Sequence, residues 1–167
     1  MRVQTTKIRQ SREELERASW HSVVRTYLEC GRRFGRLLRE FQLTVTQYEV
    51  LLAIGRLGEN AVPHAIADSL FVTRANISGV LRRLEGDGLV STHKHPADRR
   101  SSICSLTDAG TKRVRDAQTA AELFVREQTG GTTDSQLEFI MSIMQQVEGQ
   151  LRQMDPVAIA QQARGQA

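Results

Sequence analysis

Thr73-Arg74-Ala75-Asn76-Ile77-Ser78-Gly79-Val80-Leu81-Arg82-Arg83-Leu84-Glu85-Gly86-Asp87-Gly88-Leu89-Val90 is the stretch that decides the fold, read with the basic turn His93-Lys94-His95-Pro96-Ala97-Asp98-Arg99-Arg100 that follows it. Thr73 can accept a hydrogen bond from the free N–H groups of a first helical turn, and Gly86 and Gly88 supply backbone able to end that helix. Ile77, Val80, Leu81 and Leu84 repeat at the spacing of one helical face, which therefore packs inward. At about 100° per residue the outward arc carries Ala75, Asn76, Ser78, Gly79, Arg82 and Arg83, with Arg74 at its edge near the start.

That outward set has a chemistry. Asn pairs with N6 and N7 of adenine, Arg with O6 and N7 of guanine, Ser with either, and a small apolar residue such as Ala75 rests against a thymine methyl. Arg82 and Arg83, further along, suit phosphate. Any solvated helix face is polar, so the arc alone decides little. The segment before it adds weight: Pro63 to Leu70 is a short apolar-periodic stretch (Ile66, Ala67, Leu70) joined to the next helix by Phe71-Val72-Thr73, the connection length of a helix-turn-helix. The segment after it adds more. Leu89 to His93 and Ser101 to Leu106 are β-compatible runs, with Ile103 and Ser105 read as facing opposite sides and Pro96 in the connection, where no ladder N–H is needed. A cationic hairpin tip can enter a minor groove through Arg99 or Arg100, with Asp98 orienting its neighbour and Lys94 near phosphate. Together these parts predict a winged helix-turn-helix that reads double-stranded DNA.

Leu84-Glu85-Gly86-Asp87-Gly88-Leu89-Val90, then Asp98-Arg99-Arg100-Ser101-Ser102-Ile103-Cys104-Ser105-Leu106-Thr107-Asp108-Ala109-Gly110, resembles the signature of the multiple antibiotic resistance regulator (MarR) family, and Leu43-Thr44-Val45-Thr46-Gln47-Tyr48-Glu49-Val50-Leu51 is similar to that family's second-helix opening. The resemblance covers roughly Phe41 to Gly110. It implies a ligand-responsive repressor that binds a palindromic operator as a homodimer, with Arg100 inserted in the groove and Asp98 bracing it. It also implies a small aromatic or phenolic effector held between the dimer helices and the head, for which Trp20, His21, Tyr27 and Tyr48 are the candidate lining residues. The chain departs from the family at Gly79, where many relatives carry a large polar side chain.

A chain of 167 residues can bury about 70% of its unfolded surface without disulfides or metal. Its net charge of +4 is unevenly spread: +5 over residues 1–40, +1 over 41–106 and −2 over 107–167. DNA binding must therefore rest on where Arg74, Arg82, Arg83, Lys94, Arg99 and Arg100 point rather than on a bulk cationic field. No stretch approaches the roughly 20 apolar residues of a membrane span, and Met1 to Lys7 lacks an apolar signal core, so the expected compartment is the cytoplasm, with no membrane partner.

Helix starts are signalled by capping-box spacing at Ser11-Arg12-Glu13-Glu14, Thr46-Gln47-Tyr48-Glu49 and Thr133-Asp134-Ser135-Gln136. The first helix runs to about Glu40 with Trp20, Val24, Tyr27, Leu28, Phe34 and Leu38 near one stripe. A third long helix is capped by Thr107 and runs to about Gln128 before Gly130-Gly131. In the last, Leu137, Ile140, Met141, Met144, Val147, Leu151 and Met154 repeat at three-and-four spacing, as in a helix that buries a seam. The fold class expected is mainly α with a small β-hairpin wing, divided as an N-terminal arm and dimerisation helix (1–42), a winged reading head (43–107), C-terminal dimerisation helices (108–155) and a mobile Gln/Ala-rich tail (156–167). A head of about 70 residues needs no such ends; pairing them in a two-fold dimer places two recognition helices about one DNA turn apart.

Other chemistries are weighed against this one. Cys30 on the first helix suggests a thiol-based oxidant sensor, but a Cys on an apolar-patterned helix is commonly a small core residue, and the resemblance puts the reactive Cys of peroxide-sensing members about where Val23 falls. His93, His95 and Cys104 across the hairpin offer zinc-ligand chemistry; imidazoles near phosphate offer a simpler reason for His there, and neither metal nor cofactor is expected. No glycine-rich phosphate loop and no Ser/His/Asp spacing is present, so catalysis is not expected. A winged helix used only for protein contact is the alternative class.

Overall fold

In the computed structural model, which describes residues 11–94 and 102–165, the chain is helical apart from one hairpin. The elements in order are α1 (Arg12–Arg39), α2 (Val45–Leu57) with a 3-10 turn at Gly58–Asn60, α3 (Pro63–Ser69), α4 (Arg74–Gly86), β1 (Val90–Lys94), β2 (Ser102–Leu106), α5 (Asp108–Thr129), α6 (Asp134–Gln153) and α7 (Pro156–Gly165). None of these helices is long and apolar enough to cross a membrane. Two compact units are distinguished, residues 1–124 and 125–167, and each is described by itself.

The capping boxes expected at Ser11 and Thr133 form, each side chain accepting from the backbone N–H three residues on and being repaid by Glu14 or Gln136. The expectation at Thr46 is corrected: α2 is capped by Thr44, whose partner is Gln47. Both threonines have capping-box spacing. Starting at Thr44 puts Leu43 just before the cap and Tyr48 on the first turn, the positions of a hydrophobic staple, and both are buried.

The first unit owns the core. Leu38, Leu43, Leu51 and Ile54 meet Ile66 and Ala67 of α3, Ile77, Leu81 and Leu84 of α4, and Leu89, Val90 and Cys104 of the hairpin. The antiparallel register pairs Val90 with Leu106, Thr92 with Cys104 and Lys94 with Ser102. Because strand side chains alternate, Ile103 and Ser105 share one face and Cys104 takes the other, against the core, which corrects the expectation that Ile103 and Ser105 oppose each other. The outer edge of β2 is also engaged, the Cys104 N–H donating to the Ala61 carbonyl at 2.8 Å. Arg113 of α5 reaches back to the α1–α2 turn, donating to the Phe41 carbonyl at 3.0 Å and to Gln42 Oε1 at 3.2 Å.

The second unit is built differently. No residue of α6 or α7 is buried, and Phe139, Ile140, Met144 and Leu151 are all exposed. Where a tail was expected the chain forms α7: Pro156 stands at its first position and Asp155 Oδ1 accepts from the N–H groups of Val157 and Ala158. Its Ala and Gln residues are good helix formers, so composition alone misled.

Candidate nucleic-acid interface

The helix-turn-helix consists of α3, the turn through Phe71 and Val72, and α4. Thr73 caps α4, its Oγ1 facing the Asn76 N–H at 3.5 Å. At the other end Gly88 adopts φ +69°, and the Leu89 and Gly88 N–H groups donate to the carbonyls of Leu84 and Glu85. This is the paired closure that left-handed glycine permits after a helix. Ile77, Leu81 and Leu84 are buried, so the opposite arc is fixed outward, and Arg74, Ala75, Asn76, Ser78, Arg82 and Arg83 are exposed on it, with Gly79 half-exposed among them.

None of the ion pairs formed among the described residues engages Arg74, Arg82 or Arg83. Their guanidinium groups remain available to phosphate or guanine. Ser78 differs: its hydroxyl donates to the Arg74 carbonyl at 3.0 Å, which leaves its lone pairs to meet a donor such as adenine N6. Lys94 closes β1, exposed, beside His93, whose Nε2 lies 3.2 Å from Ser91 Oγ. Asp98, Arg99 and Arg100, assigned to the wing tip, lie outside the described residues, as does His95.

The turn holds a feature that residue types did not signal. Phe71 takes φ +55°, a left-handed conformation unfavourable for a residue with a Cβ, and is 82% exposed. No glycine marks the place, so only the backbone reveals it.

The residues proposed to line an effector site are dispersed. Trp20, His21 and Tyr27 stand exposed on α1, whereas Tyr48 is buried on α2, its ring edge-on to Phe34 at 5.7 Å between centroids. Burial raises the Tyr48 hydroxyl pKa above its usual value, and the Glu122 charge adds to that. Phe124 joins Phe34 from α5 at 5.4 Å, so Tyr48 belongs to an aromatic packing cluster. Two open grooves flank the head instead. One of about 810 Å³ lies between the Gly58–Asn60 turn and the hairpin. The other, about 570 Å³, is bounded by Glu49, Leu52, Arg56, Leu70, Val114 and Gln118, and Trp20, His21, Tyr27 and Tyr48 line neither.

Zinc chemistry on the wing finds no geometry here: Cys104 faces the core at 1% exposure while His93 pairs with Ile103 on the other face. Burial, and then the Glu85 charge, push the Cys104 thiol pKa up, the direction of an unreactive sulfur. Cys30 is half-buried on α1.

Residues 41–101 match the sequence model of the MarR family. The chain is 26% identical over 116 residues to the HTH-type transcriptional repressor IacR of Pseudomonas putida, covering 67% of this chain and 66% of that protein. It spans about half to two thirds of the length of the curated relatives it matches. Its fold is similar to that of AbsC, a MarR family transcriptional regulator from Streptomyces coelicolor, with TM-score 0.77, 18% identity and coverage of 87% of this chain and 99% of that one. It is similar also to Bordetella bronchiseptica BpsR, whose DNA binding is regulated by 6-hydroxynicotinic acid, with TM-score 0.68, 24% identity and coverage of 77% and 91%. The MarR family model thus matches the winged helix-turn-helix region of this chain, and the fold is similar to that of MarR family regulators.

Proposed function

We propose that the chain is a transcriptional regulator that reads a two-fold operator as a homodimer and is controlled by a small aromatic effector. One observation carries the DNA-reading role: α4 turns a complete set of base- and phosphate-competent side chains outward while its other face is locked into the core. A module made only for protein contact has no need for Arg74, Asn76, Arg82 and Arg83 together on one arc.

The dimer reading rests on exposed apolar surface. Trp20, Tyr27 and Leu28 on α1, and Phe139, Ile140, Met144, Val147 and Leu151 on α6, are side chains a soluble protein normally covers. A two-fold partner covers them and sets the spacing of two reading heads. Trp20, His21 and Tyr27, open on α1, are the proposed effector contacts together with Tyr48 of α2. That BpsR responds to a hydroxylated aromatic acid supports the effector class.

Retardation of a random duplex pool, titrated with salt, tests the reading. Log affinity should fall with log salt at about −0.9 per neutralised phosphate, and Arg82→Ala should reduce the slope by about 1. Retention of no duplex would leave the protein-contact module. Light scattering on the eluting protein should give twice 18.8 kDa. Trp20, the one tryptophan of the chain, reports effector binding directly by quenching with 6-hydroxynicotinic acid as the first probe.

A further inference from the structure

Phe71 is disfavoured twice over where it stands. Its φ of +55° is a conformation that glycine or asparagine adopts at far lower cost. Its side chain is 82% exposed, more than any other large apolar side chain among the described residues. A single exposed apolar residue is ordinary, and the second copy proposed above covers the long stripes of α1 and α6. Phe71 belongs to no such stripe. It lies in the turn between α3 and α4, with Val72 beside it at 39% exposure. Strained backbone that the surrounding structure holds in place clusters at functional sites.

The place of the turn names the partner. Arg74 follows three positions after Phe71, so the two Cα atoms stand within about 11 Å of each other. Arg74, Ala75 and Asn76 are exposed at the start of α4, and a recognition helix brings its N-terminal residues to base edges in the major groove. A ring just ahead of that helix then stands at the groove wall, where the apolar group that the bases offer is the thymine methyl. We infer that Phe71 is a sequence-reading residue: its ring packs on a thymine methyl at the edge of the site while Arg74 and Asn76 read the neighbouring bases. This role rests on the DNA-reading function proposed above and deepens it. The ring carries no charge, so Phe71 adds sequence preference without adding a phosphate contact.

The test uses the full chain, a duplex that it selects from a random library, and the same duplex with uracil in place of thymine. Phe71→Asn removes the ring and keeps a residue that tolerates the left-handed turn. It should hold or raise the thermal midpoint and weaken the selected duplex about five- to tenfold, with the slope of log affinity on log salt unchanged. Phe71→Leu, still apolar, should keep most of the affinity. Uracil should weaken binding by the unmodified chain, and weaken Phe71→Asn by a smaller factor because one methyl contact is already gone. Unchanged binding by Phe71→Asn overturns the role and leaves the DNA-reading function intact. Equal losses from Phe71→Leu and Phe71→Asn, one uracil penalty for both chains, a reduced salt slope or a lowered midpoint also overturn it. Failure of the unmodified chain to retain any duplex removes the DNA-reading function and this role with it.

Discussion

Between Leu38 and Ala121 lie all the buried apolar side chains of the described residues, yet α6 and α7 bury none. The two regions use the same local devices, since Thr44 and Thr133 form the same capping box. What separates them is burial. Most of a helix's stability in a protein comes from tertiary packing of its amphipathic face rather than from propensity and caps. The head supplies its own tertiary packing; α6 presents an apolar stripe whose packing must come from elsewhere, which is what the proposed homodimer provides.

Truncating one side chain in each region is the sharpest way to break that contrast. Leu84 is fully buried, so Leu84→Ala should cost about 2–5 kcal/mol in urea unfolding. Met144 is 43% exposed, so Met144→Ala should cost under about 0.5 kcal/mol at dilutions where the chain is a monomer, and more as concentration rises. Equal, concentration-independent losses would show that the two regions do not differ in this way. The glycines give a second pair. A Cβ on Gly110 would stand 2.0 Å from the Leu89 carbonyl oxygen, so Gly110→Ala should lose about 1–3 kcal/mol or more and lower the thermal midpoint. Gly149 on α6 has open space, so Gly149→Ala should gain up to about 1 kcal/mol.

Smaller effects sharpen the boundary. Thr44→Ala and Thr133→Ala should each cost about 1 kcal/mol of helix stability. Amide hydrogen exchange should show the first loss throughout the head and the second confined to the opening turns of α6. Smallest is Phe71→Gly, which relieves the left-handed backbone at φ +55° and should gain up to about 1 kcal/mol by calorimetry.

The reading face was legible because its signals are local and periodic. Ile77, Leu81 and Leu84 fix one side of α4 at helical spacing, Thr73 marks its start and Gly88 its end, and the outward arc follows by geometry. What the chain concealed depends on tertiary choice or lacks a marker residue. Thr44 and Thr46 offer equal caps, and only the burial of Leu43 and Tyr48 selects between them. The strained turn fell on Phe71 rather than a glycine, and the packing of Tyr48 against Phe34, which Phe124 also meets, has no marker in the residue types. Polar composition hid α7, although Asp155-Pro156 is a sound helix start.

The Thr107 hydroxyl donates to the Gly88 carbonyl at 2.7 Å and accepts from the Gly110 N–H at 3.0 Å, while Gly110 lies against the backbone of Leu89. The last turn of the recognition helix and the first turn of α5 are thereby riveted into one mechanical piece. Under the proposed ligand-responsive role, a displacement of the first turn of α5 would carry the end of α4 with it through this joint.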